Sequence, residues 1–312
     1  MAIYFVRKLM MEVLIKLNKF NDHLKQSAVM IEKAIDKVLP TENKHPSILH
    51  EAMRYSAFAG GKRIRPIMVL EAAKIFGLAP EKAIFTACGI EMIHTYSLIH
   101  DDLPLMDDDD FRRGKPTCHK VFGDAIALLA GDALLTNAFT VIAQNAKVEG
   151  ISAVAVLDVI DKISEAAGSL GMVGGQTVDF ESCGKRIDKD TLIYIDTHKT
   201  GCLIRASLWS GARLAEAKAQ DLDTIDKFGE KLGLIFQIKD DILDVTGDEK
   251  VLGKPVGSDE KNLKNTFPQV VGYENSLQIA EKLSKEAKQL LAAYKNNDFF
   301  IQLVDFLLNR NY

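Results

Sequence analysis

The chain has 312 residues, a formal net charge of -4, 47% hydrophobic and 26% charged residues, enough apolar content for a sizeable core. Its basic residues are scattered instead of gathered in one patch, which excludes a nucleic-acid role. The four cysteines, Cys88, Cys118, Cys183 and Cys202, show no CxxC spacing, which excludes a disulfide scaffold and a zinc ribbon; they read as reduced thiols in a cytoplasmic protein.

In chain order, the first segment is MAIYFVRKLMMEVLIKLNKF. Its apolar residues are broken by Arg7, Lys8, Glu12 and Lys16, and no small-residue cleavage site follows. A signal peptide is therefore not expected. An amphipathic surface helix is the alternative, but the pattern fits a helical extension over 1–10 ahead of a single domain, 11–312. No stretch reads as apolar enough to cross a membrane. The closest, Ala125 to Ala143, is interrupted by Gly131, Asp132 and Asn137 and is expected to be a buried helix.

Apolar spacings of three and four residues run through most of the chain. Breaks fall at Leu39-Pro40, Gly60-Gly61, Gly77 to Pro80, Arg113 to Pro116, Glu149-Gly150, Gly184 and Gly253 to Gly257. This predicts an all-α protein, one large antiparallel helical bundle with its site in a central cavity. Lys62, Arg63 and Arg65 beside Gly60-Gly61 read, by themselves, as a helix C-terminus carrying favourable charge. His94 and His100 lie on an otherwise apolar helix and read as buried structural residues.

Two aspartate clusters stand out. The first is Asp101-Asp102 with Asp107 to Asp110, followed by Arg112 and Arg113. Pro104 cannot sit in a helix interior, so the backbone must bulge or break before Asp107 returns to the side of Asp101. Asp108 to Asp110 read as a solvated run or a helix start. The second is Asp240-Asp241 with Asp244. Along Phe228 to Asp244 the apolar residues keep a helical period, and Gln237, Asp240, Asp241 and Asp244 form one polar stripe. Asp240 and Asp244, one turn apart, repel unless a cation compensates, which predicts a divalent-metal site of hard oxygen ligands.

The segments GGKRIRP, DDLPLMDDDDFRRGKPT, THKTG and FQIKDDILD together resemble the trans-polyprenyl diphosphate synthases, most of all the bacterial farnesyl diphosphate synthases. The likeness runs to the C-terminal LLNRNY. It implies the isoprenoid-synthase bundle, about three Mg²⁺ per active site, small diphosphate substrates and a homodimer. Asp101, Asp102 and Asp107 would bind metal, with Asp240 and Asp244 opposite. Arg112, Lys199, Lys254, Lys264 and Gln237 would hold an allylic diphosphate, and Lys199, Thr200 and Gln237 would face the allylic cation. Lys62, Arg65, His94 and Arg113 would bind isopentenyl diphosphate without metal. Gly174-Gly175-Gln176 and Asp179 would stand behind this set.

The implied reaction is 1'-4 condensation of isopentenyl diphosphate with dimethylallyl and then geranyl diphosphate. No Ser/His/Asp or Cys/His constellation is present or needed. Tyr96 and Ser97, five and four positions before Asp101, would set chain length. Five helical residues span about 7.5 Å, so the Tyr96 ring would floor the chamber and stop growth at farnesyl diphosphate. Geranylgeranyl diphosphate synthesis and a non-catalytic subunit of a heteromeric synthase are the alternatives. A terpene cyclase would carry a second motif rich in Asn, Ser and Glu, and a di-metal oxidase would carry Glu-x-x-His pairs.

Overall fold

The computed structural model describes the backbone of residues 2–246 and 264–310. Lys254 and the break at Gly253 to Gly257 lie outside the described residues. The described chain is helical, as the periodicity predicts. Its exception is a two-residue hairpin, β1 (Phe111–Arg112) paired antiparallel with β2 (Lys115–Pro116).

Helix α1 (Ala2–Val38) runs unbroken through the predicted extension and stops before Pro40. Helices α2 (Ser47–Ala57), α3 (Ile64–Ile75) and α4 (Ile84–Asp101) follow. Next come α5 (Cys118–Phe122), α6 (Asp124–Ala143), α7 (Ala153–Ala167) and α8 (Met172–Ser182). Then α9 (Lys189–Ile195) passes through a π-turn, Asp196–Gly201, into α10 (Cys202–Leu214). The last are α11 (Ala219–Thr246), α12 (Phe267–Val271), α13 (Tyr273–Leu291) and α14 (Asp298–Asn309). Asp188 starts α9 by accepting the Thr191 N–H at 2.8 Å, which satisfies one of the amides a helix start leaves open.

Helix α4 is central and touches α1, α2, α3, α6 and α10. The apolar rows of α3 (Ile67 to Leu70), α4 (Ile90, Met92, Ile93), α10 and α11 (Phe228, Leu232, Ile235) close one continuous core, with Phe300 and Leu303 of α14 beneath. Close approach needs a glycine where α10 meets α3: a Cβ on Gly211 would lie 2.1 Å from the Val69 carbonyl. A smaller cluster of Leu192, Ile238, Ile242, Phe267 and Ala280 ties α9, α11, α12 and α13 together.

Two sequence expectations change, and one open alternative is decided. The stretch from Asp124 to Lys147 is long and apolar enough, by length and composition, to cross a membrane, because Gly131, Asp132 and Asn137 barely dilute its hydropathy. It packs Ala127, Ala130, Leu134, Ala138 and Ile142 inward and leaves Leu128 and Leu129 exposed. Lys62 and Arg65 do not end a helix; they bracket the start of α3, the end whose dipole disfavours cations. Asp108 to Asp110 are the solvated run, with Asp108 and Asp110 exposed, and not a helix start. They lead into the hairpin, where the Asp109 carbonyl accepts from Thr117 Oγ1 at 2.8 Å and Asp110 pairs with Lys120 at 2.6 Å.

Candidate active site

A cavity of about 780 Å³ opens between α4, α6, α8 and the π-turn, with Arg65 of α3 at its edge. That volume is in the range of pockets that enclose small molecules. His94, Tyr96, Ser97, His100 and Asp101 descend one face of α4 into it, and Gln176, Lys199 and Thr200 face them.

The break forced by Pro104 places the first cluster. Helix α4 ends at Asp101, and the chain turns so that the Asp107 N–H donates to the Asp101 carbonyl at 2.8 Å. Burial pushes the Asp101 carboxyl above its ordinary range, Lys199 opposes this, and Asp107 adds to it. Asp107 receives Lys264 Nζ at 2.9 Å. Asp102 is turned away from this pair. Its buried carboxylate accepts Arg112 Nε at 2.7 and 2.9 Å, so the structure gives Asp102 and Arg112 to each other. Burial raises Asp102 and Arg112 opposes; at Arg112 burial works downward, but the Asp102 bond together with the charges of Asp102, Asp101 and Asp109 raises the guanidinium above its ordinary range.

The second cluster splits by depth. The Asp240 side chain is 43% exposed and meets Arg310 at 2.7 Å, whereas Asp244 is 3% exposed. Asp241 joins the core instead: it accepts Gln237 Nε2 and the Phe267 N–H, both at 2.8 Å, and fixes the start of α12. Gln237 Oε1 accepts Thr200 Oγ1 at 3.0 Å, and Lys199 donates to Asp179 at 2.6 Å.

The opposite rim is basic. The guanidinium of Arg113 lies against Gly61, where a Cβ would come within 2.5 Å, and donates to the Gly60 carbonyl. Hairpin and 60–65 loop are thereby joined. Arg65 Nη1 lies 3.4 Å from His94 Nε2. Arginine can only donate, so Nε2 is the acceptor and the proton sits on Nδ1. Burial, then Arg65, Arg113, Arg112 and Arg63, hold His94 well below the usual histidine range, so it stays neutral. Burial also lowers Arg65, against Glu91 and Asp240 and with Arg113, and Arg65 Nε is buried without a partner among the described residues. Arg113 is lowered by burial, against Glu91 and with Arg63 and Arg112. Lys62 is lowered by burial, then by Arg310, against Asp240. Arg63 itself is structural: its side chain is fully buried on Glu91 at 2.7 Å and Glu32 at 3.1 Å, which braces the loop.

The chain-length positions behave differently. Tyr96 is 6% exposed, and burial, then Asp101, push its hydroxyl up to about 12. Its ring meets His100 edge-on, centroids 5.6 Å apart. Ser97 turns its hydroxyl back to the His94 carbonyl at 2.9 Å. His100 was expected only to be structural, yet it lines the cavity, with Nε2 3.1 Å from the Leu128 carbonyl. Gln176 lines it too, with a buried Oε1 unpartnered among the described residues. The sequence signal for Gln176 and Asp179 was the resemblance of their segment to the family; Arg310 lay within the C-terminal LLNRNY of that resemblance but was given no role.

Divalent metal fits the acidic rim. Asp101 and Asp107 are hard oxygen donors whose mutual repulsion a cation relieves. Among the described residues no three His, Cys, Asp or Glu side chains form a closed ligand group. An ion that keeps waters and uses substrate phosphates needs no such cage.

The family described as Polyprenyl synthetase matches residues 46–300. A farnesyl diphosphate synthase of Geobacillus stearothermophilus is 52% identical over 223 residues, 72% of this chain and 75% of that protein. A geranylgeranyl diphosphate synthase of Cyanophora paradoxa is 43% identical over 93% of this chain and 96% of its own length. Among solved structures, an FPP/GFPP synthase from Zymomonas mobilis superposes with a TM-score of 0.83 at 34% identity, covering 94% of this chain and 99% of that one.

Proposed function

This chain belongs to the polyprenyl synthetase family, and from that premise we propose that it makes farnesyl diphosphate from isopentenyl diphosphate and its allylic partners. One observation carries the reading: the cavity mouth has two rims with opposite electrostatic deficits. On the acidic rim burial, with Asp107 adding to it, pushes the Asp101 carboxyl up; on the basic rim burial pushes Lys62, Arg65 and Arg113 down. A metal-carrying diphosphate relieves the first, and a bare diphosphate relieves the second.

The roles follow from charge. Bound Mg²⁺ would supply Lewis-acid neutralisation of the leaving diphosphate. Asp101, Asp107 and Asp240 would hold the ions, with Asp244 behind them. Lys199 and Lys264 bring fixed positive charge to the same side, where developing negative charge is stabilised most in a water-excluded site. Thr200 faces the chamber in which an allylic cation would form, and its hydroxyl donates to Gln237 behind it. Arg65, Arg113, Lys62 and neutral His94 bind the second diphosphate, which must stay attached to its carbon. Charge without metal does this.

Below the mouth, the Tyr96 and His100 rings narrow the cavity, which supports a C15 product. Geranylgeranyl diphosphate is the second reading, supported by the relatives that carry that name. The exposed Leu128 and Leu129 of α6 support a homodimer, and the absence of disulfides among the four cysteines is consistent with a cytoplasmic site. Purified protein with Mg²⁺, dimethylallyl diphosphate and labelled isopentenyl diphosphate should yield a C15 chain. A C20 main product selects the second reading, and no product at all removes the assignment.

A further inference from the structure

Asp196 is a buried carboxyl with no part in the chemistry above. It opens the π-turn that carries Lys199 and Thr200, and it is 5% exposed. Its Oδ2 is sealed from solvent with no hydrogen-bond partner among the described residues. A buried polar atom left unpaired is destabilising, so a fold that keeps one needs a reason for it. Wide turns of this kind often sit at functional sites.

The turn is clamped through its backbone. A Cβ on Gly175 of α8 would lie 2.2 Å from the Lys199 nitrogen, and one on Gly233 of α11 would lie 2.9 Å from Gly201 Cα. With the main chain fixed on both sides, side-chain partners decide where Lys199 and Thr200 point. Lys199 reaches Asp179 of α8 at 2.6 Å, and Thr200 reaches Gln237, which in turn binds Asp241 of α11. The electrostatic neighbours of Asp196 are thus Asp241 from α11, Asp179 from α8 and Lys199 from its own turn.

We propose that Asp196 is a positioning residue for prenyl transfer, a carboxylic acid that works in its uncharged form beneath Lys199. Burial, then Asp241, then Asp179 raise its pKa well above the carboxylate range, against Lys199. Uncharged, it leaves the Lys199 ammonium shared between Asp179 and the cavity mouth. Ionised, it competes with Asp179 and draws the ammonium down into the turn, away from the leaving diphosphate.

The role rests on the prenyl-transfer reading, and its test separates the two. Melting of the ligand-free protein is followed from pH 4 to pH 8 for wild type and Asp196→Asn. A carboxyl raised in the folded state stabilises fully below its unfolded pKa, and that contribution disappears as pH rises. The Asn variant should therefore gain on wild type as pH increases; a pH-independent difference overturns the uncharged form. In steady state at pH 7, Asp196→Ala should raise the Michaelis constant for the allylic substrate about tenfold, roughly 1.4 kcal/mol, and leave that for isopentenyl diphosphate unmoved. Asp196→Asn should rescue it. Equal damage by Asn and Ala, or equal effects on both substrates, overturns the positioning role. An inactive wild type with the expected melting behaviour sinks the prenyl-transfer reading instead.

Discussion

The two rims of the cavity mouth solve opposite problems with different architecture. The acidic rim is assembled from distant pieces: the end of α4, the π-turn, α11 and the segment before α12, with Lys264 reaching Asp107 across 157 positions of sequence. Two of its carboxylates have a counter-charge already in contact, Asp107 with Lys264 and Asp240 with Arg310. The basic rim is compact, built from residues 60–65 and the hairpin laid on Gly61, and its cations crowd one another. On the proposed reading the acidic rim would exchange these partners for ions and a diphosphate, while Arg113 would keep its bond to the Gly60 carbonyl. A rim that activates a leaving group must rearrange, and one that only holds its ligand need not.

The harshest way to break the contrast is to remove acidic-rim oxygens. Asp101→Ala or Asp240→Ala should lower kcat by about a hundredfold or more while circular dichroism stays helical, since losing a preorganised charge-stabilising group costs on that scale. EDTA should abolish turnover and added Mg²⁺ restore it. Near-normal turnover in either folded variant would remove the metal assignment from this rim.

A smaller effect should separate the rims by substrate. Arg65→Ala or Arg113→Ala should raise the Michaelis constant for isopentenyl diphosphate about ten- to a hundredfold, the loss of a charge-assisted contact of roughly 1.5–3 kcal/mol. Lys199→Ala should act on the allylic substrate instead. Kinetics with each substrate varied in turn read this directly, and matching changes in both constants contradict the division.

Beneath both rims, Tyr96→Ala should shift the product towards C20 or longer with the condensation rate kept within about tenfold, because it opens space without touching the charged groups. Chromatography of chain lengths decides it. If the variant still stops at C15, His100 and its seat on the Leu128 carbonyl become the floor to test next.

The smallest effect concerns His94. Its folded pKa is depressed by burial and the surrounding arginines, so the stability tied to its neutral form is present above the unfolded value near 6.5 and lost as pH falls below it. His94→Gln should flatten the decline in melting temperature between pH 6.5 and pH 5. An unchanged slope would show that His94 titrates alike in the folded and unfolded chains, against the depression that burial and the arginines impose.

Much of this was legible beforehand. The second cluster lies on one helix, so its stripe could be counted out, and α11 carries it as expected. Pro104 foretold the break before Asp107. The hairpin at Phe111–Arg112 was not foreseen, because two-residue strands leave no alternation to read. His100 looked structural because its contacts come from α6, which spacing along α4 does not reveal.

The sequence alone determined the helical class, the identity of the charged motifs and the face each side chain takes on its own helix. These depend on a 3.6-residue period and on proline's missing N–H, both local properties. Only the tertiary structure decided which aspartates face the cavity and which are spent elsewhere: Asp102 on Arg112, Asp241 on α12, Asp196 beneath Lys199. Electrostatic and hydrogen-bond energies fall steeply with distance, and the distances between helices are set by how the core closes around Gly175, Gly211 and Gly233. A charge pattern along the chain fixes none of those separations.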